Sequence, residues 1–216
     1  MDSQFKEVTS IRGLAAEYHV NNTLNRELGA VRYTPYSQGD SFLFDGILIP
    51  TPVQDRRQPF TEIDHLYVSK RGVFAIETKS ISGKVYGEKD SKKWNSAQAS
   101  SFKKDGLYDR GFTNPFRQNA FHVSAINNLF KEACFKAWIN NYVVLVDANE
   151  YGWEQGHWGG DKVDGLFLSA KELAAHILTM PDKLTHQEVL RIAKLLHIHY
   201  TTTKDNMAEF KLHHAD

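Results

Sequence analysis

The chain has 216 residues, of which 41% are apolar and 24% charged, a composition typical of a soluble globular protein with one sizeable core. Its 26 basic residues balance its 26 acidic ones, so the net charge alone neither indicates nor excludes a nucleic-acid partner. The single cysteine, Cys134, excludes an intrachain disulfide. The N-terminal segment lacks the pattern of a secretory signal, and no apolar run approaches membrane-spanning length, so we expect a cytoplasmic protein that does not contact a membrane.

The charges are unevenly distributed along the chain. Residues 84–117 contain eight basic side chains and four acidic ones, whereas residues 145–190 contain three basic and eight acidic ones. A basic middle and an acidic later half would give the folded protein a polar electrostatic field, which concentrates an anionic partner on one side.

The first half of the chain predicts one helix and three strands. Gly29 is placed to end a helix over residues 5–28, in which apolar residues recur at helical spacing: Ile11, Leu14, Ala15, Tyr18, Leu24 and Leu28. Strands are expected at residues 42–49, 62–69 and 73–79, and the last two are separated by a tight turn at residues 70–72. Residues 80–111 read as a basic, loop-rich stretch with a possible short strand at 84–86.

The second half predicts three helices and two strands. Asn114 and Pro115 suit the cap and first position of a helix that runs to about residue 138, in which Cys134 is expected to be a small core residue. Strands are expected at 142–146 and 166–168, and capping-box patterns at Ser169 and Thr185 predict two further helices. This order favours an α/β domain whose mixed central β-sheet is flanked by α-helices.

Three ionisable residues are predicted to meet at the end of two neighbouring strands. Glu77 and Lys79 share one face of their strand because strand side chains alternate, and the tight turn brings Asp64 to the same edge. Two converging carboxylates suit Mg²⁺, and a lysine beside them can stabilise charge on a phosphate. The same residues also fit an ordinary salt-bridge cluster at a sheet edge, and the spacing alone leaves both interpretations open.

Several segments in the same order resemble the nuclease-related domain (NERD) family, which belongs to the PD-(D/E)xK nuclease superfamily. They are Thr61-Glu-Ile-Asp-His65, Gly72-Val-Phe-Ala-Ile-Glu-Thr-Lys79, Ser82-Gly83, Trp94 and Asn114-Pro-Phe-Arg-Gln-Asn119. The resemblance implies a restriction-endonuclease-like core that binds Mg²⁺ or Mn²⁺. It places the nuclease domain at residues 1–180 and leaves residues 181–216 as a C-terminal helical extension, packed on the same domain.

The resemblance also assigns roles to individual residues. It implies that Asp64 and Glu77 are metal ligands and that Lys79 is the catalytic lysine. Glu17 matches an acidic residue that the superfamily often supplies from its first helix, and Gln118 matches a glutamine near the start of the later helix. Ile63 stands where the superfamily pattern has proline, a departure that the superfamily tolerates.

The expected function is therefore metal-dependent hydrolysis of phosphodiester bonds in nucleic acid, with DNA favoured by the resemblance. The basic stretch is the predicted substrate track, formed by Lys84, Lys92, Lys93, Lys103, Lys104 and Arg117. The alternatives are a non-catalytic nucleic-acid-binding module and a regulatory domain that retains a nuclease-like fold. The glycine- and tryptophan-rich segment 151–160 could stack on unpaired bases or simply pack on the domain.

Overall fold

The computed structural model describes the backbone of residues 2–51, 59–99, 107–152 and 163–213, and the side chains of residues 11–51, 59–97, 111–152 and 163–200. Within these ranges the chain forms four helices and seven strands. The helices are α1 (Asp2–Leu28), α2 (Pro115–Glu132), α3 (Ala170–Thr179) and α4 (His186–His213). The strands are β1 (Ser41–Pro50), β2 (Phe60–Ser69), β3 (Gly72–Tyr86), β4 (Lys93–Ala99), β5 (Leu107–Thr113), β6 (Ile139–Gly152) and β7 (Leu166–Phe167).

All seven strands belong to one mixed sheet. Strands β1 to β5 follow one another in antiparallel order, whereas β6 runs parallel to β3 and β7 runs parallel to β6. The parallel pairing of β3 with β6 requires a crossover, which contains α2. The prediction of an α/β fold with a mixed sheet flanked by helices is confirmed.

Strand β3 is the longest described strand and pairs with three others, β2, β4 and β6. Along one edge it pairs with β6 from Val73 to Tyr86, with register shifts around Gly83. Along the other edge it pairs with β2 only up to Ile76 and with β4 only from Lys84 onward. Among the described residues, the segment between these two partners has no ladder partner on this edge. We call residues 77–83 of β3 the edge gap.

Helices cover both faces of the sheet. Helices α2 and α4 pack on one face, where Val189, Ile192 and Leu196 of α4 join the same apolar cluster as strands β1, β2 and β3. Helices α1 and α3 cover the other face through a second cluster, which includes Val20 and Leu24. The first turns of α4 are therefore part of the main core, while the domain boundary at residue 180 stays a prediction.

One buried asparagine joins α2 to the connection between β3 and β4. The Asn114 side-chain oxygen accepts a hydrogen bond from the Phe116 amide and caps α2. Its amide nitrogen donates to the carbonyl oxygens of Lys89, at 2.8 Å, and Ser91, at 2.7 Å. The indole of Trp94, fully buried, donates to the carbonyl of Glu88 in the same connection. These contacts fix the N-terminus of α2 against the sheet.

Several predicted boundaries differ from the structure. Helix α2 ends at Glu132, and Cys134 follows it in a left-handed conformation, with φ of 54°, and is exposed. The expectation that Cys134 is a core residue is wrong, because the chain turns toward β6 there. The strand predicted at residues 73–79 and the short one at 84–86 are a single strand, β3.

Only part of the apolar set predicted for the first helix is buried. Helix α1 spans the expected residues and Gly29 follows it with φ of 60°. Leu24 and Leu28 are buried, but Ile11, Leu14 and Tyr18 are all more than half exposed. Residues 80–111 were predicted to be rich in loops, but they include β4 and most of β5, which pair antiparallel. No helix in the described part of the chain is both long and apolar enough to span a membrane.

Candidate active site

The edge gap begins where an aspartate side chain replaces a backbone partner. The antiparallel pairing of β2 with β3 ends at His65 and Ile76. Beyond this pair, the Oδ2 atom of Asp64 accepts a hydrogen bond of 2.8 Å from the backbone amide of Thr78. On the neighbouring strand, Gly46 adopts φ of +58°, a conformation that favours glycine, between the pairs Asp45–His65 and Ile47–Ile63. The half-buried Asp64 carboxylate is thereby held at the point where the two strands separate.

Glu77 is the next residue of β3 and is almost completely buried. Its side chain is 1% exposed, and its two carboxylate oxygens face different nitrogen-bearing side chains. Oε1 lies 2.7 Å from Nζ of Lys79, and Oε2 lies 3.3 Å from Nε2 of His122 on α2. The other ring nitrogen of His122, Nδ1, is hydrogen bonded to the hydroxyl of Thr61 at 2.7 Å. A buried carboxylate needs such partners, because removing it from water unpaired costs several kcal/mol.

The three carboxylates of the site influence one another electrostatically. Burial raises the pKa of Asp64 well above its ordinary value, and the nearby negative charges of Glu77 and Glu17 raise it further. The hydrogen bond from the Thr78 amide and the charge of Lys79 lower this pKa, but by less. Burial also acts to raise the pKa of Glu77, but the contacts with His122 and Lys79 outweigh it and the pKa of Glu77 is lowered. Burial and then the charges of Glu62 and Glu77 raise the pKa of Glu17. The surroundings of Glu77 therefore favour its charged form, whereas those of Asp64 and Glu17 disfavour theirs.

Helix α2 is positioned by a second buried asparagine. The Asn119 amide donates to the carbonyl oxygens of Ala75 on β3, at 2.8 Å, and Tyr142 on β6, at 3.1 Å. One turn later, the same side of α2 carries His122 to Glu77. Gln118 lies half-buried four residues before His122 and so shares its side of the helix.

His65 belongs to the opposite face of the strand pair. It is fully buried, its Nε2 is hydrogen bonded to the hydroxyl of Thr78 at 3.1 Å, and burial lowers its pKa to about 4. A neutral imidazole in that position joins the two strands through its hydrogen bond with Thr78.

The predicted substrate-track residues do not all lie together. Three of them are exposed at the N-terminus of α2: Lys92, Lys93 and Arg117. There the Lys92 carbonyl oxygen accepts a hydrogen bond from the Asn114 backbone amide. Lys84 is ion-paired with Glu150 at 2.8 Å on the surface of β3 and β6. Lys103 and Lys104 fall outside the described residues, as does segment 153–162 of the glycine- and tryptophan-rich stretch.

Comparison of the sequence with known proteins identifies a family to which the chain is related. The sequence model of the nuclease-related domain matches residues 12–146, which is more than half of the chain. The chain belongs to the nuclease-related domain family. A 74-residue stretch is also 36% identical to an uncharacterized protein of Bacillus anthracis, covering 33% of this chain and 31% of that protein. No solved structure matches the chain.

The nuclease-related domain match contains every acidic, basic and amide side chain that meets at the edge gap. The structure brings Glu17, Asp64, Glu77 and Lys79 together, as the sequence predicted, although their chemical roles stay predictions. Sequence reasoning missed Thr61 and His122 entirely. The available signal for His122 was its position four residues after Gln118 on the same predicted helix, which places the two side chains on one face.

The donor set fits a hard cation that retains water ligands. In the described ranges, no three His, Cys, Asp or Glu side chains are arranged to ligate a metal by themselves. Mg²⁺ is commonly bound by one or two carboxylates, and water or phosphate oxygens complete its shell. Asp64 and Glu77 supply two carboxylates beside the edge gap, and both oxygens of Glu77 are buried without a well-aligned hydrogen bond.

We predict that Asp64→Asn raises thermal stability at neutral pH when no divalent cation is present. An acid whose pKa is raised on folding contributes stability below its ordinary pKa, and this contribution is lost as the pH rises through the raised value. Asparagine keeps an oxygen acceptor for the Thr78 amide but carries no charge. Thermal unfolding in EDTA at pH 7 should show a midpoint about 2–4 °C higher, equivalent to about 1 kcal/mol.

The matched control is Asp182→Asn, which removes a carboxylate from an exposed position before α4. Its unfolding midpoint should stay within the error of the wild-type value. A midpoint that falls for Asp64→Asn would show that the Asp64 charge stabilises the folded protein, contrary to the electrostatics described above.

Proposed function

We propose that this nuclease-related domain hydrolyses phosphodiester bonds of nucleic acid, with DNA as the favoured substrate, and requires Mg²⁺ or Mn²⁺. The observation that carries this proposal is the buried Glu77 carboxylate, held between Lys79 and His122 and beside Asp64 at the edge gap. Burying a cluster of ionisable groups costs stability, and such clusters occur most often at functional sites. Membership of a nuclease-related family supports the assignment of that chemistry.

Asp64 and Glu77 would hold the metal ion. Asp64 engages one oxygen with the Thr78 amide, so its carboxylate is oriented before any cation arrives. Burial, and then the negative charges of Glu77 and Glu17, raise the pKa of Asp64, so a cation bound beside Asp64 would stabilise its charged form. When bound, the metal supplies Lewis-acid polarisation of a phosphoryl oxygen and lowers the pKa of a bound water.

Lys79 would act on the substrate and not on the metal. Its side chain is 27% exposed, so its ammonium group lies between the buried Glu77 carboxylate and solvent. From that position it can donate to a non-bridging phosphate oxygen or orient the attacking water, and so stabilise the negative charge that develops during attack.

Glu17 and Gln118 would approach the same point from the two helices. Glu17 is close enough to Asp64 for its charge to raise the Asp64 pKa, so it can accept a hydrogen bond from a water at the site. Gln118 precedes His122 by one turn and can donate its amide to a phosphate oxygen.

The substrate backbone would run past the N-terminus of α2. Lys92, Lys93 and Arg117 present positive charge there, and the helix dipole adds partial positive charge at the same end. These groups would bind phosphates without reading sequence. Lys84, Lys103 and Lys104 complete the proposed track.

We predict that cleavage requires a divalent cation and the Glu77–Lys79 pair. Glu77→Gln and Lys79→Met should each lower the cleavage rate by about 10²–10⁴, because each removes one charged group of a cooperating set. The measurement is turnover of labelled single- and double-stranded DNA and RNA in Mg²⁺, in Mn²⁺ and in EDTA after removal of tightly held metal.

The controls are Asp40→Asn and Lys70→Met, which break an exposed ion pair with Nζ–Oδ2 of 3.0 Å near the opposite end of β3. Both should cleave at the wild-type rate. Wild-type protein that binds nucleic acid but shows no metal-dependent turnover would support the alternative of a binding or regulatory module. Full cleavage by Lys79→Met would place the active site elsewhere.

A separate prediction concerns the substrate track. The double change Lys92→Glu and Lys93→Glu should weaken binding of all DNA sequences alike, because phosphate contacts carry no sequence information. The slope of log affinity against log salt concentration should fall by about 1–2, from a loss of about 0.9 per phosphate contact. Binding would be measured by fluorescence anisotropy in Ca²⁺ over a range of salt concentrations.

The matched control for the substrate track reverses Lys131 and Lys136, exposed residues near the other end of α2. This control should leave affinity and salt slope close to wild type. An equal loss in both double variants would mean that overall charge governs binding and that no track exists at the N-terminus of α2.

A further inference from the structure

We infer that His122 and Thr61 form a positioning pair that assigns the two oxygens of Glu77 to different tasks. Oε2 is reserved for His122, and Oε1 is left for the cation that it faces, which is Lys79 in this structure. This inference rests on the proposed function, since it concerns how the chain prepares Glu77 for a metal ion. His122 would act through Glu77 and would not touch the substrate.

The chemistry of the three groups limits how the His122 ring can be held. An ionised carboxylate can only accept hydrogen bonds, so the Nε2 atom of His122, 3.3 Å from Oε2, must carry the hydrogen that faces Glu77. The Thr61 hydroxyl can donate or accept, so its 2.7 Å hydrogen bond to Nδ1 forms whether or not Nδ1 carries a hydrogen. Thr61 thus fixes the orientation of the ring, and Glu77 requires the hydrogen on Nε2.

Burial makes this arrangement restrictive. The side chains of Glu77 and His122 are 1% and 6% exposed, so water cannot freely substitute for either partner. The backbone of α2 is fixed beside them by the hydrogen bonds of Asn119 to β3 and β6. With its ring position set by the helix and its ring orientation set by Thr61, His122 limits rotation of the Glu77 carboxylate.

The consequence for metal binding is one of preorganisation. A carboxylate that is free to rotate must lose that freedom when it ligates an ion, whereas Glu77 has already lost it in the folded chain. Hydrogen-bond partners of metal ligands typically change metal affinity or activity by 10–100-fold when they are removed. We therefore expect His122 to affect the affinity for Mn²⁺ through Glu77, even though it is not itself a ligand.

The test compares a variant that removes the donor with one that restores it. His122→Leu replaces the ring with an apolar side chain, and His122→Gln keeps an N–H donor near the position of Nε2. Mn²⁺ affinity, measured by isothermal titration calorimetry without nucleic acid, should fall by about 10-fold or more in His122→Leu. It should recover most of that loss in His122→Gln, and Thr61→Val should show a smaller loss than His122→Leu.

The matched control is His176→Leu, which removes a histidine that contacts the Tyr142 hydroxyl at 3.0 Å on the other face of the sheet. Its Mn²⁺ affinity should equal that of the wild type. Thermal unfolding of every variant identifies loss of the fold. A second readout needs no metal, because long-range ¹H–¹⁵N correlations of the His122 ring should show hydrogen on Nε2 in the wild type.

Each outcome bears on the inference. Wild-type Mn²⁺ affinity in folded His122→Leu, or hydrogen found only on Nδ1 in the wild type, would overturn it while metal-dependent cleavage stood. Equal losses in His122→Leu and His122→Gln would reduce His122 to a packing residue and also overturn it. Mn²⁺ binding that depends on His122 in a protein without turnover would support the inference and refute the proposed catalysis. A wild type that binds no Mn²⁺ would refute both.

Discussion

The buried charge of Glu77 is the constraint on which the rest of the site depends. A carboxylate with 1% exposure in the centre of a sheet would be unfavourable by several kcal/mol if it had no partners. The chain meets this requirement from two directions, with Lys79 on the same strand and His122 on a helix that crosses the sheet. The position of α2, the identity of Thr61 and the ionisation of Glu77 are all consequences of satisfying that one group.

The sheet contributes the second requirement, an accessible stretch of strand. Because β2 leaves β3 after Ile76 and β4 joins it only at Lys84, the described part of the sheet has an opening on the edge where Glu77 and Lys79 lie. On the opposite edge, β6 pairs with β3 through Ser80 and again from Gly83, with register shifts on both sides of Gly83. Within the edge gap, Glu77 and Thr78 are buried and residues 79–83 are half-buried, so the strand that carries Glu77 stays paired where the site lies.

Much of this arrangement could be predicted from local patterns. The tight turn before Val73 and the alternation of strand side chains correctly predicted that Asp64 lies near Glu77 and Lys79. The Asn114–Pro115 pattern correctly predicted where α2 begins. Such features depend on neighbours in sequence. The resemblance to a nuclease family was also correct, because it rested on several motifs in order.

Features that depend on distant parts of the chain were not predictable in the same way. Thr61 and His122 are 61 positions apart in sequence, and nothing local indicates that a threonine of β2 holds the ring of a histidine on α2. The buried face of α1 was predicted only in part. Leu24 is buried as part of the predicted apolar set, whereas Val20 was missed and the earlier residues Ile11, Leu14 and Tyr18 are exposed. Cys134 was misplaced because apolar spacing continued past the true end of α2.

The most direct measurement of the account is the location of Mn²⁺ by anomalous diffraction from crystals grown with the metal. The account predicts a dominant peak at normal coordination distance from an oxygen of Asp64 and from Oε1 of Glu77, with His122 still on Oε2 and Lys79 displaced from Oε1. A dominant peak elsewhere, or a Glu77 that keeps Lys79 while the metal binds other residues, would contradict it.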